Sequence, residues 1–267
     1  MKELIIKELR DRRKSSIAYW VGSFLLLWLF VLIFPSIQNS AKELQTAFES
    51  YPKEFLAAFD LKDFNFNTLE KYLGAEQFSF TWPILVITLA LSLAGNYFAG
   101  EIEKGTMGLS LSLPISRAKI FFSKYFAGMI DLAVFMIVSI LGVIPLAMLH
   151  NIDFDLPRLL NLTILGMFFG AAIFSVASML STFASEKAKV YFPITGLLVA
   201  MYAMDIISNI KPSLDWLQYG SVFRYFNAQD VLADNDVSWM SYAVLGSTIL
   251  ISMAIGLFWF KRRDISV

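Results

Sequence analysis

The sequence predicts an all-α integral membrane protein with six transmembrane helices, and three observations carry that prediction. The first is composition. Of 267 residues 57% are hydrophobic and 16% charged, with a mean hydropathy of +0.61, whereas a soluble domain carries about 25% charged residues. The second is run length: several apolar stretches approach or exceed the roughly 20 residues that cross a bilayer as helix. The third is how charge is sorted between them. With both termini on one side, segments 1–16, 101–124, 184–189 and 261–267 hold six, four, two and three Lys and Arg, fifteen of the chain's 22. Thirteen of its 22 acids fall in the segments on the other side. Short basic segments stay on the cytoplasmic face. The expectation is therefore N-in/C-in, in a multi-pass protein of the plasma membrane that binds no nucleic acid.

The elements follow in chain order. Residues 1–16 read as an amphipathic elbow helix on the cytoplasmic surface. Leu4, Ile5 and Leu9 share one side, and Glu3/Lys7 and Glu8/Arg12 stand at the i,i+4 spacing that supports exposed helix. The first span, 17–37, is long for a signal peptide and no small-x-small cleavage site follows it, so it reads as retained. In the outer segment 38–77, Leu44, Phe48, Tyr51, Phe55 and Phe59 recur at helical steps. They form an apolar stripe that either lies on the membrane or closes on itself as a small subdomain. The remaining spans are 78–100, 125–149, 159–183, 190–210 and 239–260. The fourth carries Gly166-x-x-x-Gly170, a spacing that lets helices approach closely. A second outer segment, 211–238, precedes the last span, which Lys261-Arg262-Arg263 stops.

Little here points to chemistry within the chain. There is no Gly-x-x-x-x-Gly-Lys-Ser/Thr nucleotide loop, no nucleophile-and-base motif and no cysteine. The one histidine, His150, sits in no ligand cluster. No metal or cofactor is expected, and the chain is not expected to be an enzyme. Ionisable or polar residues inside spans are costly and worth naming. Asp131 has Lys124, Lys187 or Lys189 within plausible reach, or the membrane interface. Asp205 can cap or pair with Lys211 or Arg224. Asn96 suits an interhelical hydrogen bond. Each is a structural or pathway polar group, and none belongs to the repeated set a proton relay or ion filter needs.

The loop 101–124 carries more. Its middle is apolar but short and both its ends are charged, a pattern that suits a short helix held against the membrane face by a partner. Glu101 and Glu103 offer polar contacts, and Gly105-Thr106 offers a bend. Met107, Leu109, Leu111 and Leu113 supply apolar contacts. Pro114 ends the element, since proline lacks a donor and restricts the residue before it. Ser116 can cap the next helix. A surface helix with no partner is the plain alternative.

Glu101-x-Glu103-x-Gly105-Thr106, a short apolar stretch, then Leu113-Pro114-Ile115-Ser116-Arg117 and a downstream Lys124 resemble the signature region of ABC-2 type transporter permeases. The basic N-terminal helix, six spans, large first outer segment and basic C-terminal stop extend the resemblance over nearly the whole chain. Ser221-Val222-Phe223-Arg224-Tyr225-Phe226 resembles the family's segment before the last span, with Val222 where a proline is frequent. The resemblance implies a single transmembrane domain, 1–267, that is one half of a permease dimer, with itself or a similar second permease. Each half docks on a separate ABC ATPase, two copies in all, which uses ATP and Mg. It implies an elbow helix at 1–16 and a coupling helix between spans two and three. Glu101, Glu103, Gly105 and Thr106 would begin that element, and Leu113, Pro114, Ile115, Ser116 and Arg117 would form the turn after it. Spans one and five would face the second half. The implied activity is export. The aromatic, Gly-rich interior suits an apolar or amphipathic substrate such as a drug, peptide or lipid. A sensing partner of an ABC ATPase, a sodium extruder, and an autonomous carrier or membrane enzyme are the alternatives.

Overall fold

The computed structural model describes residues 1–40 and 66–264. The described residues are helical with no strand. Six helices are long and apolar enough to cross a membrane: α1 (Lys2–Asn39), α2 (Leu69–Tyr97), α5 (Arg117–His150), α6 (Leu156–Phe183), α7 (Ala188–Ile210) and α9 (Trp239–Arg262). Two short helices, α3 (Ala99–Glu103) and α4 (Met107–Leu111), fill the loop between α2 and α5. At the opposite end two 3₁₀ segments (Pro212–Gly220 and Phe223–Tyr225) and α8 (Ala228–Asp234) join α7 to α9. The stripe from Leu44 to Phe59 lies outside the described residues.

α2, α5 and α6 form the core, and α1, α7 and α9 surround it. The most apolar window of α6 is 67% buried inside the protein, while that of α7 is 17% buried. Small residues explain why α6 can sit in the middle. A Cβ on Gly166 would stand 2.9 Å from the Trp82 ring, and one on Gly170 would stand 2.4 Å from Met136 and 3.2 Å from Val86. The Gly166/Gly170 pair therefore admits α2 and α5 to the α6 backbone, where packing rather than hydrophobicity holds membrane helices.

Near the acidic end an aromatic layer closes the core. Trp82 stacks on Phe226 with centroids 5.1 Å apart, Phe226 stacks on Phe169 at 4.6 Å, and Trp82 Nε1 donates to Ser139 Oγ at 2.9 Å. Such ring pairs contribute about 0.5–1.5 kcal/mol each beyond burial. The Ser221–Phe226 motif thus anchors the last outer segment to the core.

Two features depart from the sequence reading. The expected elbow is not a separate helix: α1 runs unbroken from Lys2 to Asn39 through the 16/17 boundary. No glycine or proline precedes Gly22, and the inward face continues without a phase change. Glu8, Ser16, Ser23, Leu27, Val31 and Phe34 are all buried on it. Its 38 residues span about 57 Å at 1.5 Å per residue, well beyond the ~30 Å hydrocarbon core. Glu8 and Arg12 also turn inward, so they are not an exposed helix pair. The second departure is in α2 and α5, which contain π-helical stretches at Gly74–Thr81 and Ile137–Leu141.

Candidate functional site

The basic end holds both termini, α3, α4 and the 184–187 link. α3 ends in a Gly-capped reversal: Thr106 N–H donates to Glu101 O at 2.9 Å and Gly105 N–H to Ile102 O at 3.0 Å. Gly105 has φ +68°, the left-handed conformation this cap needs and a β-carbon disfavours. A Cβ there would meet nothing within 4 Å, so the constraint is backbone geometry. α4 turns Met107 inward and Leu109 outward, with Leu111 packed against the core. Met107 is buried, while Leu109 is 72% exposed and Leu113, in the turn after the helix, is 42% exposed. Ile115 N–H donates to Leu113 O at 2.7 Å, tightening the turn at Pro114. Ser116 caps α5 by accepting from Lys119 N–H at 3.4 Å.

Lys124, Glu101, Glu103, Arg117 and Arg263 each bond to another part of the chain. Lys124, fully buried, donates to Glu8 at 2.7 Å and to Glu101 at 2.5 Å, pinning α1, α3 and α5 together. Ser110 Oγ donates to the other Glu101 oxygen at 3.4 Å. Burial raises the Glu101 carboxyl above its ordinary value of 4.5, against the opposing pull of Lys124. Glu103 accepts the backbone N–H of Lys187 at 3.0 Å, and the Lys187 side chain crosses Gly100, where a Cβ would stand 2.7 Å from Lys187 Cε. Arg117 donates to the backbone carbonyl of Arg263. Arg263 in turn donates to Thr182 O at 2.7 Å, Ala184 O at 2.8 Å and Ser185 Oγ at 2.6 Å. α4 thus stands on a foot anchored to α1, α5, the α6–α7 link and the C-terminal segment.

The polar span residues fall elsewhere than expected. Asp131 meets none of Lys124, Lys187 or Lys189. It accepts from Ser16 Oγ on α1 and lies beside Arg12. Lys124 is committed to Glu8 and Glu101, and Lys189 pairs with Glu186 at 2.7 Å. Asn96 makes no interhelical bond of the kind expected; its amide donates to Ser92 O one turn back, at 2.7 Å. Arg12 does bridge helices, donating to Ser92 Oγ at 3.1 Å with its guanidinium 5.4 Å from the Tyr97 ring centre. His150 accepts from Trp28 Nε1 at 3.3 Å. Reading α1 as one helix from the start would have revealed the inward polar row Glu8, Arg12, Ser16.

A second region is a groove between α2 and α7, with a cavity of about 650 Å³. It runs on α2 from Ser79 to Ser92, and Tyr19, Tyr191, Leu198, Val199 and Tyr202 also face it. No acidic or basic side chain lines it among the described residues. Through Ser79, Phe80, Pro83, Tyr202 and Phe223 it joins a polar chamber of about 370 Å³ at the acidic end. Glu76, Asp205, Asn209, Gln218 and Arg224 line that chamber. Asp205 therefore sits at the chamber, on the face of α7 toward α2.

Six membrane-length helices around a small-residue core, with a Gly-reversed helical element in the loop between the second and third, define a multi-pass membrane protein. A family model described as "ABC-2 family transporter protein" matches residues 3–265, and the chain belongs to that family. No curated protein matches it.

Proposed function

We propose that this chain is the permease subunit of an ABC exporter, coupled through α3–α4 to a separate ATPase. The observation that carries the reading is the contrast across α4 and the turn that follows it. Leu109 and Leu113 are exposed on an element whose base is fixed to four other parts of the chain. An exposed apolar pair on a rigid foot suits a groove on a partner: the partner supplies the burial and the foot transmits its displacement. Glu101, Glu103, Gly105 and Thr106 set the angle of the element, and Leu113 to Arg117 close the turn that returns it to α5.

In this reading the basic end is cytoplasmic and the protein lies in the plasma membrane as one half of a dimer, with itself or a similar permease. Two ATPase copies bind ATP and Mg, and this chain catalyses nothing. Closure of the ATPase pair would push α4 and, through Lys124 and Glu103, move α1, α5 and the α6–α7 link together. The loosely packed α7 would then shift against α2 and change the groove between them. The groove's apolar lining suits an apolar or amphipathic substrate.

Affinity purification from the native membrane in mild detergent, with mass spectrometry of what accompanies the chain, tests this. A stoichiometric soluble ATPase is expected, and a second permease in the sample would distinguish hetero- from homodimer. Consistent absence of an ATPase under gentle conditions overturns the reading.

A further inference from the structure

We infer that the α2/α7 groove and its chamber bind a single-tailed amphiphile with a cationic amine head, the tail in the groove and the head at Glu76. The inference rests on the permease reading above, because it takes this groove as part of the path.

The groove is graded along its length. From Ser92 to Ser79 the walls are apolar or carry neutral hydroxyls. Fourteen residues of helix, thirteen steps of 1.5 Å, make this reach about 20 Å, and its volume lies within the range of small-molecule sites, about 300–1,000 Å³. An extended hexadecyl chain fits that length. The two compartments share five lining residues and so adjoin, which places a head group in one beside a tail in the other.

Charge selects the head. Among the described residues the chamber is lined by the carboxylates of Glu76 and Asp205 and the guanidinium of Arg224, and Glu76 is the one assigned to the head. Arg224 is exposed and lies over the Tyr219 ring, 6.0 Å from its centre. Glu76 is exposed on the chamber wall and makes no hydrogen bond or ion pair with another described residue. A carboxylate that lines a cavity without a partner of its own favours a cation that can donate hydrogen bonds. Asn209 and Gln218 offer further amide groups around the same space. The Glu76 position is set by the π-helical stretch Gly74–Thr81, an irregularity that recurs at functional sites. A fatty carboxylate would place like charge beside Glu76 and Asp205.

The test is photolabelling of the full-length protein in phosphatidylcholine nanodiscs, with diazirine-bearing hexadecylamine and the matching hexadecanoic acid. Peptide mass spectrometry then locates the adducts. The amine should label α2 between Ser79 and Ser92 and the facing side of α7, about fivefold more than the acid, the ratio expected for one ion pair. Glu76→Gln should bring amine labelling down to the level of the acid. Val199→Trp fills the groove from an exposed position and should reduce labelling by both probes. Equal labelling by amine and acid, no response to Glu76→Gln, or labelling of the α9 outer face as strong as that of the groove would each overturn the inference. The measurement requires no ATPase, so a failure here with ATPase co-purification intact would reject the amphiphile site and leave the permease reading standing. Selective labelling without a co-purifying ATPase would do the reverse.

Discussion

The foot of α4 and the α2/α7 groove are built on opposite principles. At the foot, charges are buried and mutually engaged: Lys124 alone holds Glu8 on α1 and Glu101 on α3. At the groove, a peripheral helix with a 17% buried window leaves about 650 Å³ open against the core. A buried ion network is stiff because any shift leaves a charge unpaired in a low-dielectric setting. A sparsely packed helix can move at little cost, since few contacts are lost. On the permease reading proposed above, the difference suits the two regions to complementary tasks: the foot would carry displacement without absorbing it, and the groove would be where displacement changes shape.

The largest expected effect comes from cutting the pin of the foot. Lys124→Met leaves Glu8 and Glu101 buried without their cation, and should destabilise the detergent-solubilised protein by about 3–5 kcal/mol. Adding Glu8→Gln and Glu101→Gln to it should restore most of the melting temperature, because a neutral trio has no unpaired charge. A Lys124→Met protein that melts with wild type would mean the foot is not held by this pair of contacts. The matching change at the groove, Val199→Trp, should alter stability by no more than about 0.5 kcal/mol, as for an exposed position.

Backbone strain at the reversal is the next effect. Gly105→Val forces a β-branched residue into φ +68°, at a cost of roughly 1–2 kcal/mol. Space is not the problem, so the variant should insert in the membrane and lose coupling by misdirecting α4. Glu103→Lys should also insert normally and reduce coupling, since it replaces the acceptor of the Lys187 N–H with a donor. ATPase activity of the reconstituted complex measures both, and normal coupling in both variants would remove the role assigned to this reversal.

A smaller effect follows from pH. Burial outweighs Lys124 and raises the Glu101 carboxyl. The folded state therefore holds this proton more tightly than the unfolded chain does. The resulting stability is fully present below the unfolded value of 4.5 and is lost as pH rises through the folded one. Glu101→Gln should accordingly gain in melting temperature relative to wild type as pH rises from 4.5 to 7. A gap that narrows instead would show that pairing with Lys124 outweighs burial.

The same contrast explains what the sequence could reveal. Six apolar runs, the Gly166/Gly170 spacing and the Gly105-Thr106 reversal are local patterns, each fixed by a single stretch of chain. The α1 partners of Lys124 and Asp131, Glu8 and Ser16, lie over a hundred residues away in sequence, and no local period encodes them. The elbow expectation failed for a related reason. Polarity changes at Ser16, but helix phase does not, and phase is what keeps α1 continuous. Asn96 sits where an interhelical bond is expected, but its own helix offers the Ser92 carbonyl one turn away. The groove is absence of packing between α2 and α7, which neither helix's sequence displays alone.

The smallest effect on the fold should accompany a clear effect on function, and it bears most directly on the division of tasks. Leu109 is 72% exposed, so Leu109→Glu should change the melting temperature of the isolated chain by the equivalent of no more than about 0.5 kcal/mol. If Leu109 fills a groove on an ATPase, the same change buries a charge in that contact, and co-purification of the ATPase should fall at least tenfold, about 1.4 kcal/mol or more. Leu113→Glu should act in the same direction and more weakly, because Leu113 is only 42% exposed. A variant that keeps its ATPase would mean that the outward pair faces lipid. The foot would then be a rigid end of the bundle with nothing to transmit. Loss of the ATPase with an unchanged melting temperature would separate recognition from stability at one side chain, as expected for a contact made by a stiff element whose own fold does not depend on it.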